Sequence, residues 1–375
     1  MEIAMTRLEF NPSKQPTLGV EIELALVDAN TMALCSKNAA ILNRIPGEYA
    51  DKIKPELMQC YVEINTDICE SVSHVEADLK PKLQTLSSVA AAENVQLYWS
   101  GTHPFSTWRE QKITPNDRYM GLVNLLQDTA RQLVTFGLHV HVGVNSGDKA
   151  IMICDRILRY LPVLLALSCN SPFWEGRITG LHSWRSKIME GLPTAGLPPL
   201  MRNWSEYVWL INHLIDTGYI ESIREIWWDV RPHHAFGTVE VRICDIPGTL
   251  EDTLGLVALI QCLICNLSDE IDRGIYQHDS HPMLIRQNKW HASRYGIAAQ
   301  LVDSTSHNLK SVPQIIEELV EKLLPMAEQL NCVPYLKHVL DMAHQPTWAQ
   351  RQMDLLDLTG DSVEVVRRLI NDSSD

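Results

Sequence analysis

The sequence predicts an α+β protein built on a largely antiparallel sheet, and three observations carry that prediction. Short strand-like runs recur between helical stretches, and several of those runs have a polar face. Three of them place charged or metal-capable side chains two residues apart: Glu21-Ile22-Glu23, His139-Val140-His141 and Glu240-Val241-Arg242. Residues i and i+2 of a strand point to the same face, so each pair projects together. Antiparallel sheets accept one polar face, whereas parallel sheets are apolar on both. Glutamates, histidines and an arginine gathered among Val, Ile and Leu are too costly to serve packing alone. The face therefore reads as a seat for divalent metal and for something negatively charged.

The elements follow in order. Thr17 to Val27 alternates as a strand and turns near Asp28 to Asn30; Leu57 to Ile68 and Val95 to Ser100 read as two more. Between them, His74 to Glu93 is helical, with Pro81 as an expected kink. Asn116 or Asp117 caps a helix running to about Val134. A strand at Leu138 to Val144 and a helix from Asp148 to Ser168 come next. Gly191 to Pro199, rich in Gly and Pro, reads as a functional loop. Thr238 to Cys244 is a strand, and Thr249 with Asp252 forms a capping box for the following helix. From Val312 onward the pattern is helical and mostly amphipathic.

Bulk properties exclude several function classes. With 375 residues and 45% hydrophobic content, the chain can bury a substantial core. Its formal net charge of −14 argues against a nucleic-acid partner, which calls for a basic surface. Acidity leaves nucleotides open, because Mg²⁺ can bridge carboxylates and phosphates. Nine scattered cysteines and no secretory leader give a cytoplasmic, reducing setting as the expectation. Cys262 and Cys265 form a C-x-x-C, but inside the apolar run Leu254 to Leu267, where buried thiols are the simpler reading. That run is shorter than a membrane span needs, so no membrane is expected.

The chemistry-bearing groups can be weighed singly. Glu21 and Glu23 repel one another on a strand unless a cation neutralises them, and Mg²⁺ or Mn²⁺ prefers such oxygen ligands. Against this stands an ordinary solvated strand face. Glu63, in Tyr-Val-Glu-Ile-Asn, offers a third carboxylate or is a surface residue. His139 and His141 share a face between Gly137 and Gly143, and these glycines allow backbone or ligand to approach closely. A zinc hydrolase is a competing reading of His-x-His, although no H-E-x-x-H helix accompanies it. Glu240 suits a cation and Arg242 a phosphate or carboxylate, against a plain cross-strand salt bridge. Arg231, just before Pro232 and close to His233 and His234, is expected on a loop over the sheet. P-loop, Rossmann and nucleophile-elbow motifs are absent from the sequence.

Seven segments taken together resemble the carboxylate–amine ligase branch of the glutamate–cysteine ligase type 2 family, from about Thr17 to Met353. They are Thr17 to Glu23, Gly137 to Gly143, Ser171 to Arg177, Leu192 to Gly196, Trp228 to Pro232, Thr238 to Arg242 and Asn288 to Gly296. The resemblance implies a single glutamine-synthetase-like catalytic domain over residues 1–375, whose C-terminal part (about 312–375) is helical. In that fold a curved antiparallel sheet forms a funnel, with helices on its outer face.

The resemblance further implies an ATP- and Mg²⁺-dependent ligase, with Mn²⁺ as a substitute, that joins a glutamate-like carboxylate to cysteine or another small amine through an acyl phosphate. A homodimer or larger homo-oligomer is the implied assembly. Carried over by motif, Glu21, Glu23, Glu63, His139 and Glu240 would ligate metal, and Arg231 and Arg242 would act on the phosphoryl group. Asn288, Arg294 and Arg185 would bind ATP or the acceptor carboxylate. The chain departs from the family pattern at Asn65 to Asp67 and at Leu181 to Arg185. Two other readings remain: a different phosphoryl-transfer enzyme such as a guanidino kinase, and a non-catalytic nucleotide- or ligand-binding protein.

Overall fold

The computed structural model describes residues 8–275, 277 and 280–372. Seven strands form the central sheet: β1 (Leu18–Asp28), β2 (Ile53–Pro55), β3 (Tyr61–Asn65), β4 (Val95–Tyr98), β5 (Gly137–Gly143), β8 (Val230–His233) and β9 (Thr238–Asp245). Between β5 and β8 lies a two-residue hairpin, β6 (Phe173–Trp174) and β7 (Arg177–Ile178). A second hairpin follows, β10 (Gln300–Val302) and β11 (Leu309–Ser311). The central order is β2-β3-β1-β5-β9-β8, with β4 pairing to β1, and each pairing is antiparallel.

Alternation along β1 explains the layering. Leu18, Val20, Ile22 and Leu24 are fully buried, while Glu21 and Glu23 turn to the opposite, half-buried face. The apolar face is covered by helices, among them Leu250–Asp272, which packs on β5 and on the helices Gly147–Ile157, Val312–Gln329 and Val333–His344. Leu250–Asp272 is long and apolar enough to cross a membrane, but most of it is buried inside the protein as a core helix. One contiguous hydrophobic cluster runs from Leu18 to Ile370.

Several boundaries differ from the sequence reading. Asn116 caps its helix through Arg118 N, but that helix stops at Leu126 because Gln127 adopts φ +51°; a short turn, Asp128–Arg131, follows. The stretch from Asp148 to Ser168 is two helices, Gly147–Ile157 and Leu161–Ser168. Pro162, which has no N–H to give, sits in the first turn of the second. Pro81 lies within a single helix, Val72–Ala92. Thr249 Oγ1 does cap Asp252 N, but the Asp252 carboxylate instead accepts from His338 Nε2 (2.7 Å) and Trp348 Nε1 (2.6 Å), so the box is not reciprocal. Cys262 and Cys265 do not pair; the Cys262 sulfur lies 3.4 Å from that of Cys332.

Candidate active site

The polar face of the sheet lines a chamber of about 590 Å³. Cross-strand register brings its residues together. Glu23 pairs with Glu63, Glu21 with His139, His141 with Glu240, and Glu240 with Arg231. A bulge between Leu138 and Val140 sets the β5–β9 register that aligns His141 with Glu240.

Among the described residues two groups of donor atoms occur, each with its atoms within 4.8 Å of one another: Glu21 with Glu63 and His139, and Glu21 with His141 and Glu240. Glu21 belongs to both. One of its oxygens lies 3.0 Å from His139 Nδ1 and the other 3.6 Å from His141 Nε2. Burial works against its charge, yet the hydrogen bond to His139 and the adjacent His141 imidazole prevail and hold its carboxyl far below the usual range. Burial and then the neighbouring Glu21 push Glu63 well above its ordinary value. Glu56, just after β2, is held up at about 7 by burial and then by Glu23. Four carboxylates (Glu21, Glu23, Glu56 and Glu63) thus line one chamber under mutual repulsion, a donor set whose chemistry fits a hard divalent cation. Glu23 lies outside both donor groups, and its Oε2 accepts from Gly137 N at 2.6 Å.

The arginines divide by role. Arg231 is not on a loop: it stands on β8, buried, with Nε 2.6 Å from Glu240 Oε2 and Nη1 bonded to the carbonyls of Ile223 and Ile226. Pro232 is accommodated because β8 is an edge strand. Arg242 grips the other oxygen of Glu240, and its Nη1 lies 3.5 Å from His139 Nδ1. Against burial, these two guanidiniums hold Glu240 well below the usual carboxylate range. Burial lowers His139, assisted by Arg242, whereas His141 is raised because Glu240 and Glu21 outweigh its burial.

Arg185 also lines the chamber, its side chain lying against Gly137. Asn288 and Arg294 are not brought there. Asn288 clasps both the N–H and the C=O of Val302 at 2.8 Å, beside a separate cavity, and Arg294 sits 4.8 Å over the Tyr295 ring. In the same segment Lys289 is buried and bridges Asp229 (2.5 Å) and Glu190 (2.8 Å), none of which lines the chamber. The Gly191 to Pro199 loop lies outside the lining. Thr194 Oγ1 donates to the Glu225 carbonyl and Asp229 N to the Gly196 carbonyl. Glu56 lines the chamber without having been singled out from sequence, and His141, not carried over as a ligand, joins Glu21 and Glu240 in the second donor group. For His141 the signal was present, in the His-x-His pair.

A family model described as glutamate-cysteine ligase family 2 matches residues 17–372. The chain belongs to glutamate–cysteine ligase family 2. A provisionally named glutamate–cysteine ligase 2 from Gloeobacter violaceus is 43% identical over 366 residues, covering 96% of this chain and 98% of that protein. One of the same name from Thermobifida fusca is 38% identical, covering 97% and 92%. Among solved structures, glutamate–cysteine ligase from Francisella tularensis in complex with AMP superposes with a TM-score of 0.68 at 13% identity, over 97% of this chain and 90% of that one. A bifunctional glutathione synthetase from Pasteurella multocida gives 0.67 at 15%, over 96% of this chain and 52% of that one. The predicted α+β, glutamine-synthetase-like architecture is the one found, and this member of family 2 is a glutamate–cysteine-ligase-like carboxylate–amine ligase.

Proposed function

We propose that this ligase uses ATP and Mg²⁺ to join the γ-carboxylate of glutamate, or a close analogue, to cysteine or another small amine in the cytoplasm. The whole chain acts as one catalytic unit. The observation that carries the reading is Glu21, shared by two donor clusters on a face that Arg242 and Arg231 close on one side. Glu21, Glu63 and His139 would hold one divalent cation, and Glu21, His141 and Glu240 a second, with Glu23 beside them. Bound there, the cations supply charge neutralisation for the phosphates.

The chain's own groups do the rest. Arg242, already polarised by Glu240, faces the chamber where a γ-phosphoryl group would meet the donor carboxylate, and it stabilises the charge that develops. Arg231 positions Glu240 and, through it, Arg242. Arg185 anchors a substrate carboxylate. Transfer of the γ-phosphoryl group to the donor carboxylate would break its bond to ADP and give the acyl phosphate. Attack of the amine on the acyl carbon would then form the C–N bond, break the C–O bond to phosphate, and release phosphate and the amine's proton. The AMP held by the Francisella tularensis enzyme, a ligase of like fold, supports nucleotide use.

The test is ADP release with glutamate and an amine panel, together with mass spectrometry of the product. An amide is expected. A phosphorylated guanidine with no amide would point to a kinase on the same sheet, and nucleotide binding without ADP would point to a binding protein. Glu21→Gln and Arg242→Ala are each expected to lower kcat at least about a hundredfold, the scale of one transition-state charge contact. Undiminished turnover would remove them from the reaction.

A further inference from the structure

Beyond the carboxylates the chamber reaches the hairpin that joins β8 to β9. Phe236, at its tip, lines the chamber yet is 62% exposed. Its ring lies on His233, with centroids 4.1 Å apart and planes 12° apart. His234 extends the same stack at 6.0 Å and 11°. His141 meets the rings of His233 and Phe236 edge-on, at 5.6 and 5.7 Å. Among the described residues, the rings that meet Phe236 are the imidazoles of His141 and His233, and an apolar ring so backed yet largely exposed can take a further flat layer.

The tip is held in place. Asn11 N donates to the His234 carbonyl (2.9 Å), Gly237 N to the His233 carbonyl (2.9 Å), and Val144 N to the Gly237 carbonyl (2.9 Å). Phe236 N donates to His233 Nδ1 at 3.3 Å. Gly237 has φ +65°, and a Cβ there would lie 1.8 Å from the Asn11 carbonyl oxygen, so the strap at Asn11 closes tightly on the hairpin. His141 ties this platform to the charged end. Its Nδ1 is fixed by Thr238 Oγ1 at 3.0 Å, while its Nε2 lies 3.6 Å from Glu21 and 3.8 Å from Glu240. One imidazole therefore borders flat aromatic rings and a metal-capable cluster. That arrangement suits a molecule with a planar ring at one end and phosphates at the other.

We propose that Phe236, backed by His233, is the platform on which the base of the nucleoside triphosphate stacks. The proposal rests on the ATP-dependent reading above. Stacking uses the π-face that every base presents, so the platform sets affinity more than base identity, and purines gain more than pyrimidines from their larger face.

The experiment is steady-state kinetics of the full-length enzyme with ATP and CTP. Phe236→Ala is expected to raise KM for ATP about tenfold or more. It should narrow the gap between ATP and CTP and leave kcat at saturating ATP, KM for donor and amine, and inhibition by inorganic tripolyphosphate nearly unchanged. Phe236→Trp should restore KM. An unaltered KM for ATP in a Phe236→Ala protein of normal Tm overturns the platform. So does a rise confined to KM for the amine, which would assign the ring to the acceptor. Failure of the wild-type enzyme to release ADP from ATP is read first, and separately sinks the reading on which the platform depends.

Discussion

Arg185 owes its place to the missing side chain at Gly137. A Cβ there would lie 2.1 Å from Nη2 and 2.6 Å from Cζ of the guanidinium. The contacts that hold this group are long: 3.4 Å to the carbonyls of Ile243 and Arg242, and 3.9 Å to Asp245 Oδ1. Its buried Nε has no hydrogen-bond partner. A buried cation so loosely held is primed to take an anion, because leaving its donors unpaired is costly. Gly137→Ala separates fold from function at this position. The guanidinium ends a flexible side chain and can yield, so a stability loss of only about 1 kcal/mol is expected, at the low end for overpacking. Catalysis should suffer more, with KM for the carboxylate substrate rising at least about tenfold, the scale of one charge-assisted hydrogen bond. Parallel measurement of Tm and KM checks this. A fall in Tm with KM unmoved would make Arg185 a structural residue.

At the scale of elements, Asp245 at the end of β9 organises what surrounds it. It is fully buried and accepts from Asn170 N (3.0 Å), Ser171 Oγ (2.6 Å) and Ser183 Oγ (3.0 Å), so it fixes the segment that carries Arg185. Asp245→Asn would set an amide N–H against these donors. The expected cost is about 3 kcal/mol, read by denaturant unfolding, with activity falling alongside. A change below about 0.5 kcal/mol would show the network to be dispensable. The strands were legible in sequence because period-two alternation repeats in β1, β5 and β9, where it also exposes Glu21, Glu23, His139 and Glu240. Arg231 was misplaced because a residue before proline reads as loop, and only sheet order reveals that β8 is an edge where Pro232 fits. Glu56 carried no local signal. It follows a strand only three residues long, and its perturbation comes from burial and from Glu23, which is distant in sequence. The Asn288 to Gly296 segment looked like a ligand motif. Its polar groups are occupied in joining elements, Asn288 to β10 and Lys289 to Asp229.

For the whole molecule, the crowded carboxylates tie stability to pH and to divalent cations. In the unfolded chain Glu56 and Glu63 ionise near 4.5, whereas in the folded protein burial and neighbouring carboxylates hold Glu56 at about 7 and Glu63 well above 4.5. The folded state therefore keeps protons that the unfolded state has released, and stability falls as pH rises from about 4.5 through about 7. Glu56 alone contributes about 3 kcal/mol at most across that window. Glu21 and Glu240 act in the opposite sense, but their folded values are depressed, so the stability they confer is complete above 4.5 and is lost only in stronger acid. A divalent cation binding the ionised folded state reverses the trend, and its stabilisation should grow as pH rises. Thermal unfolding of EDTA-treated protein between pH 5 and pH 8 is expected to show a falling Tm, flattened by millimolar Mg²⁺ and, without metal, partly flattened by Glu63→Gln. A Tm independent of both pH and Mg²⁺ in that range would mean that the carboxylates do not repel one another in the folded protein, and the argument for a cation seat would fall with that repulsion.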